Sequence, residues 1–312
     1  MSLSMIKSLL APLLLVSAAT AATPKNILLT NDDGWAVAII RAQLDSLDAA
    51  GYSVVLSAPA ENESGTGSST ATPTVLTQEC EFNTCPVGSP ATGNNASDTR
   101  ENYVNAFPLD AAKFGVQTLA PQFFGSALDF IVSGPNVGNN LGSTVNISGT
   151  VGAACEGSNL GVPSVAFSAS GSSISQSSYT TLTSSPTSAD TVNSLLYASL
   201  TTKFVNVLLS SYASPLVPTG TILNVNYPTI SSPCNKLDDF RFVFSRVAAD
   251  SSVTDVETCG SDHLPTETAV VDSGCFVSVS VLNATVTSKK DVDAATQALA
   301  LNSLQALPFT CL

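Results

Sequence analysis

The chain reads as an α/β protein: a Rossmann-like, mostly parallel, doubly wound sheet with a smaller β-rich C-terminal appendage and a closing helix. Three observations predict this. Short apolar runs at Ile27–Leu29 and Leu128–Val132 read as strands buried on both faces. Such runs alternate along the chain with stretches of helical periodicity. Several of them end in polar, glycine-bearing loops, as the carboxyl ends of parallel strands do where open α/β sheets bind ligands.

Taken in order, the first 22 residues stand apart from the fold. Lys7, an apolar core at Leu9–Val16 and the small residues Ala19-Thr20-Ala21 read as a secretory signal peptide, too short to span a bilayer. The first strand, Ile27–Leu29, runs through Thr30 into Asn31-Asp32-Asp33-Gly34. Val37, Ile40, Leu44 and Leu47 then share one face of a helix that Gly51 ends. Ser53–Ser57 is the second strand, followed by a polar loop, Ala58–Gly67. Pro73–Thr77 and the residues after Phe82 are expected as hairpin strands around a first cysteine pair. Pro108–Leu119 is predicted as a helix with proline at its start. The Leu128–Val132 strand enters a second ligand-type loop, Ser133–Gly142, and Ser148-Gly149-Thr150 opens a helix of small residues ending near Gly157. Strands at Val162–Phe167 and Ile222–Val225 flank a serine-rich surface loop, 169–189, and a helix from Ala189 to Leu209. These elements form an expected catalytic domain over 23–230. The remainder, 231–312, is expected as an antiparallel extension with strands at Phe240–Val247 and Val270–Val281 and a helix at Ala294–Leu307.

Charge and cysteines limit the function classes. A net charge of −13 repels nucleic-acid polymers and anionic membranes, so any phosphate-bearing substrate needs a local cation or a helix N-terminus. Four acceptors for N-glycosylation, Asn62, Asn95, Asn146 and Asn283, fit export and a secreted, extracellular protein. Seven cysteines with no CxxC spacing, and a single histidine, His263, argue against zinc. Cys155, in a small-residue helix, is expected as a buried free thiol. For the other six, spacing favours Cys80–Cys85, then Cys234–Cys259 and Cys275–Cys311. The chain has no Gly-x-Ser-x-Gly elbow, no P-loop Gly-Lys-Ser/Thr and no Arg-His-Gly run.

Adjacent carboxylates at a strand end repel unless a cation or proton holds them, though Asn-Asp-Asp-Gly is also good turn chemistry. Parallel strands bring Asp32 and Asp33, the Ser64 loop and the Asn136 loop to one crevice. Carboxylate, hydroxyl and amide oxygens together suit one divalent cation, Mg²⁺ or Mn²⁺ and also Ca²⁺. The start of the Ser148-Gly149-Thr150 helix offers N–H groups to a phosphate. Ser64 also reads as a turn serine, Asn136 as a loop-bonding amide and Ser148 as a helix cap, the last compatible with phosphate binding. Trp35 reads either as a stacking surface for a ring or as a packed edge aromatic, and His263 as an exposed loop residue.

Four motifs in this order, Asn31-Asp32-Asp33-Gly34, Ala58-Pro59 with Ser64-Gly65, Ser133–Asn140, and Ser148–Ala154, resemble the SurE family over residues 25–230. That resemblance implies a metal-dependent phosphomonoesterase of the 5′/3′-nucleotidase or acid phosphatase type, the latter being the description of fungal members. It implies that Asp32, Asp33, Ser64 and Asn136 ligate the cation and that Asn140, Ser148, Gly149 and Thr150 hold the phosphoryl group. Water is then the nucleophile, and one Asp of the pair takes its proton. The expected substrate is a small phosphate ester, such as a nucleoside monophosphate. In many family members the C-terminal part builds a dimer, so a homodimer is one expectation. The competing reading is a secreted surface- or carbohydrate-binding protein that keeps the scaffold with little turnover. The presence of all four metal positions favours the enzyme.

Overall fold

The computed structural model describes residues 25–312 apart from Tyr212 and Val286; the expected signal peptide lies outside the described residues. One nine-stranded sheet runs through the molecule in the order β3-β4-β2-β1-β5-β6-β7-β9-β8. Its strands are β1 (Asn26–Thr30), β2 (Ser53–Pro59), β3 (Thr92–Asn94), β4 (Glu101–Val104), β5 (Phe130–Val137), β6 (Ser164–Ala169), β7 (Thr221–Asn226), β8 (Arg241–Phe244) and β9 (Phe276–Asn283). The helices are α1 (Ala38–Ala49), α2 (Pro108–Phe114), α3 (Ala120–Phe124), α4 (Gly149–Asn159), α5 (Thr181–Ser184), α6 (Ala189–Ser210), α7 (Glu267–Val271) and α8 (Ala294–Ser303).

The six strands β4, β2, β1, β5, β6 and β7 are mutually parallel. β1 shows why the sheet is doubly wound. Ile27 and Leu29 enter the apolar cluster that α1 and α6 cover, whereas Leu28 enters a second cluster with Val55, Ile131 and Leu119 on the opposite face. Alternate side chains of a strand point to opposite faces, so an uninterrupted apolar run requires cover on both. Here α1 packs on α6, and α2 packs on α4. From β1 the chain adds β2 and β4 on one side and then returns to place β5 on the other. The β1/β5 junction is therefore the topological switch point, where the loops at the strand ends diverge and leave a crevice.

Several boundaries differ from the sequence expectation. Residues 73–77 form no strand; the hairpin is β3–β4, beyond the cysteine pair, with 92–94 adding the edge strand against β4. The helix begun at Pro108 continues through a π turn, Gly115–Leu119, into α3. Val270 and Val271 are helical, since the Thr266 hydroxyl caps that turn by accepting from the Ala269 N–H at 3.3 Å. β9 is antiparallel to β7, as an antiparallel C-terminal part requires, but β8 lies parallel to β9 and both continue the main sheet.

That pairing corrects two disulfides. Cys80–Cys85 forms as expected and Cys155 is a buried free thiol, but the other bridges are Cys234–Cys275 and Cys259–Cys311, not Cys234–Cys259 and Cys275–Cys311. Parallel strands start at the same end. Cys234 precedes β8 and Cys275 precedes β9, so their Cα atoms stand 5.2 Å apart. The chain end then returns beside β8, with Thr310 N donating to Phe242 O at 2.9 Å, and delivers Cys311 to Cys259.

Candidate active site

Asp32 and Asp33 leave the end of β1 into the switch-point crevice and are buried, at 2% and 0% exposure. Asn31 fixes the turn: its side-chain amide donates to Gly34 O at 3.0 Å and its Oδ1 accepts from Gly34 N at 3.3 Å. Gly34 has φ +113°, a conformation that favours glycine.

The two carboxylates point to different supports. Asp32 Oδ1 accepts a hydrogen bond from the Thr150 hydroxyl at the start of α4. The packing there is tight. A Cβ on Gly149 would stand 2.8 Å from Asp32 Cβ and 3.1 Å from Asp32 Oδ2. Asp33 Oδ2 accepts from Val137 N at 2.8 Å, and Asp33 Oδ1 accepts from the Gln176 side-chain amide. Burial raises the pKa of Asp32, against the hydrogen bonds of Thr150. Burial first, and the neighbouring Asp32 charge second, put Asp33 well above the usual carboxylate range.

β5 supplies the third element. Its pairing with β6 shifts register between Ser133 and Asn136. Gly134 adopts φ +100°, and a Cβ there would run into the Phe167 carbonyl oxygen. This irregularity delivers Asn136, 7% exposed, to the crevice. Its amide nitrogen donates to Gly138 O at 2.7 Å, while its Oδ1 is buried with no hydrogen-bond partner among the described residues.

The other expected site residues divide into two groups. Ser64 lies exposed on the rim. Its N–H closes a turn on Asn62 Oδ1 at 2.8 Å, and Glu63 N anchors this loop on Asp32 O at 2.7 Å. Ser148 caps α4 by accepting from Val151 N at 3.1 Å. Asn140 is committed to the sheet: its amide nitrogen donates to Ser168 Oγ at 2.8 Å and its backbone N to Asn226 Oδ1 at 2.8 Å. Trp35 is a packed aromatic, 4% exposed, with its indole N–H on Thr84 Oγ1 at 3.1 Å and its ring 5.3 Å from that of Tyr103. His263 is exposed in the loop before α7. Asn62 and Asn146 are exposed on the polypeptides leading to Ser64 and Ser148, while Asn95 and Asn283 are partly buried.

Sequence reasoning missed two neighbours of the Asp pair. Gln176 comes from the serine-rich loop after β6, where nothing in the sequence marks it. Glu81 comes from the Cys80–Cys85 loop, and its Oε2 fills the space a Gly34 Cβ would take. Burial, then the Glu61 charge, push its pKa up to about 7. A carboxylate in a disulfide-closed loop next to a glycine turn is a signal, but sequence alone does not say that the loop folds back onto β1.

The donor set fits a hard cation. Two buried carboxylates have no basic side chain among the causes that hold them ionised, and the amide oxygen of Asn136 lacks a donor beside them. Among the described residues no three His, Cys, Asp or Glu side chains cluster for a metal, which leaves a set of two carboxylates completed by neutral oxygens.

Fold and site together define a Rossmann-like α/β protein with a buried aspartate pair at the switch point, against a helix N-terminus. The family model described as "Survival protein SurE" matches residues 27–250, and the chain belongs to the SurE family. An acid phosphatase of Yarrowia lipolytica is 34% identical over 288 residues, covering 82% of this chain and 78% of that protein. The 5′-nucleotidase SurE of Lawsonia intracellularis is 33% identical over 206 residues, covering 66% of this chain and 67% of its own. The crystal structure of the SurE protein from Aquifex aeolicus superposes with a TM-score of 0.58 at 24% identity, covering 84% of this chain and 94% of that one, which shows the common fold.

Proposed function

We propose that this protein hydrolyses phosphate monoesters with water as nucleophile, at a divalent cation held by Asp32, Asp33, Ser64 and Asn136. Its family membership and its relatives, named acid phosphatase and 5′-nucleotidase, make it a phosphoric monoester hydrolase acting on small phosphate esters. The observation that carries the metal dependence is the buried, uncompensated Asp pair beside the donorless Asn136 Oδ1. When bound, a Mg²⁺ or Mn²⁺ ion supplies Lewis-acid polarisation of the phosphoryl oxygens and neutralises the acidic crevice.

The chain's own groups do the rest. Thr150 and Gln176 hold the two carboxylates in fixed orientations. The start of α4, with Ser148 and Gly149, presents the positive end of an eleven-residue helix to the phosphoryl group. Thr150 contributes its backbone there, since its hydroxyl is engaged on Asp32. A proton released by the attacking water passes to a carboxylate oxygen of the Asp pair.

Three disulfides and the fungal acid phosphatase relative support an exported protein. No helix among the described residues is long and apolar enough to cross a membrane. A chelated preparation assayed on a generic phosphate ester, with and without Mn²⁺, tests the reading.

A further inference from the structure

Three buried oxygens near the Asp pair have no hydrogen-bond donor among the described residues: Asn136 Oδ1, Gln176 Oε1 and Glu81 Oε2. Asn136 belongs to the cation's direct ligands as proposed above. The other two are unexplained by that set. Leaving a buried acceptor unpaired is costly, so two such atoms beside one site call for donors that arrive with a ligand.

Both side chains are held in place. Gln176 donates its amide N–H to Asp33 Oδ1, which fixes the amide plane and leaves Oε1 directly beside that carboxylate. Glu81 is held by a loop closed by Cys80–Cys85, with Cys80 N on Cys85 O at 2.9 Å and Glu81 N on Ala60 O at 3.0 Å. Within that loop Phe82 and Asn83 both take left-handed φ, 56° and 57°, which non-glycine residues rarely adopt. The result is a carboxylate lodged against Gly34, one residue from Asp33. Glu81 does not join Asp32 and Asp33 in a three-carboxylate metal cluster among the described residues. Both are acceptors, and a hydrated divalent cation presents a shell of water O–H donors.

We propose that Glu81 and Gln176 are positioning residues that form an outer layer around the cation, accepting hydrogen bonds from its water shell on the Asp33 side of the site. Gln176 acts twice, orienting Asp33 through its N–H and the water shell through its oxygen. The loop carrying Glu81 thus belongs to the site although it lies far from the family's shared motifs in sequence. The inference rests on the cation reading above.

The test is Mn²⁺ affinity, read from the electron paramagnetic resonance signal of free Mn²⁺ during titration of metal-stripped full-length protein. Glu81→Leu and Gln176→Leu, each of which removes an unpaired acceptor, are expected to weaken Mn²⁺ binding on the order of tenfold or more, as loss of outer-layer partners does at other metal sites. The metal-free melting temperature of both variants should stay near that of the parent, which a merely structural role would not allow. Glu61→Gln is the control, since it removes the same charge from the crevice rim without removing one of the unpaired acceptors. Parental affinity in Glu81→Leu and Gln176→Leu, or an equal loss in Glu61→Gln, would overturn the inference while leaving the cation reading intact. A parent protein that binds no Mn²⁺ overturns both.

Discussion

Replacing Thr150 with valine separates two roles for the start of α4. By sequence motif Thr150 belongs to the phosphate seat, but its hydroxyl donates to Asp32 Oδ1 inside the protein, where Thr150 is fully buried. Valine keeps the branched shape and removes only that donor. A hydrogen bond to a charged group contributes about 1.5–3 kcal/mol. Cation binding requires Asp32 in its charged form, so losing the bond weakens binding by about that amount, or on the order of ten- to a hundredfold. The assay is Mn²⁺ titration of metal-stripped protein, paired with inhibition by inorganic phosphate at saturating Mn²⁺. Weaker Mn²⁺ binding with phosphate inhibition changed by less than about threefold is the expected result. Unchanged Mn²⁺ affinity with much weaker phosphate inhibition would refute the reasoning and return the hydroxyl to the substrate.

Three more outcomes follow from the structure. Asp33→Asn should abolish phosphatase activity while leaving the circular dichroism spectrum and the non-reduced disulfide map unchanged; full activity in a folded variant would sink the assignment. A non-reducing peptide map should link Cys234 to Cys275 and Cys259 to Cys311, with Cys155 alkylated only after denaturation. Glu267 is wholly buried, with Oε2 accepting from Gly142 N at 3.1 Å and Oε1 from Asn224 at 2.7 Å. Burial raises its carboxyl from 4.5 to about 7. A carboxyl pKa raised by folding contributes stability below about pH 4.5 that is lost as pH climbs through 7, up to roughly 3 kcal/mol. Thermal melts of the parent should therefore fall across that window, and Glu267→Gln should flatten the fall; an unchanged slope would contradict it.

The scaffold was legible in the sequence because its strands are buried on both faces. Ile27–Leu29 carry no polar alternation, and that pattern has one good solution, a parallel sheet with helices on each side. The strand-end rule brings Asp32, Asp33 and Asn136 together, since the Asp pair follows β1 and Asn136 lies at the carboxyl end of the neighbouring parallel strand β5. Where contact depends on loops returning from a distance, the pattern is silent. Gln176 lies in a run of serines, and its partner Asp33 is 143 positions away. Glu81 reaches Gly34 only because its loop folds back against the β1 turn. The disulfides failed for a related reason. Spacing along the chain favours near neighbours, whereas the parallel pairing of β8 with β9 sets Cys234 beside Cys275 across 41 residues. Ser148 and Thr150 were recognised as a motif, but only the structure shows Ser148 occupied as a cap and the Thr150 hydroxyl occupied on Asp32.

The central claim is that hydrolysis depends on a divalent cation held by the Asp pair. The direct measurement is phosphatase activity on a simple phosphate ester after exhaustive chelation, followed by stepwise addition of Mn²⁺ with parallel determination of bound metal. Activity lost on chelation and regained in proportion to one bound cation per chain is the predicted result. Full activity in protein shown to be metal-free would contradict it.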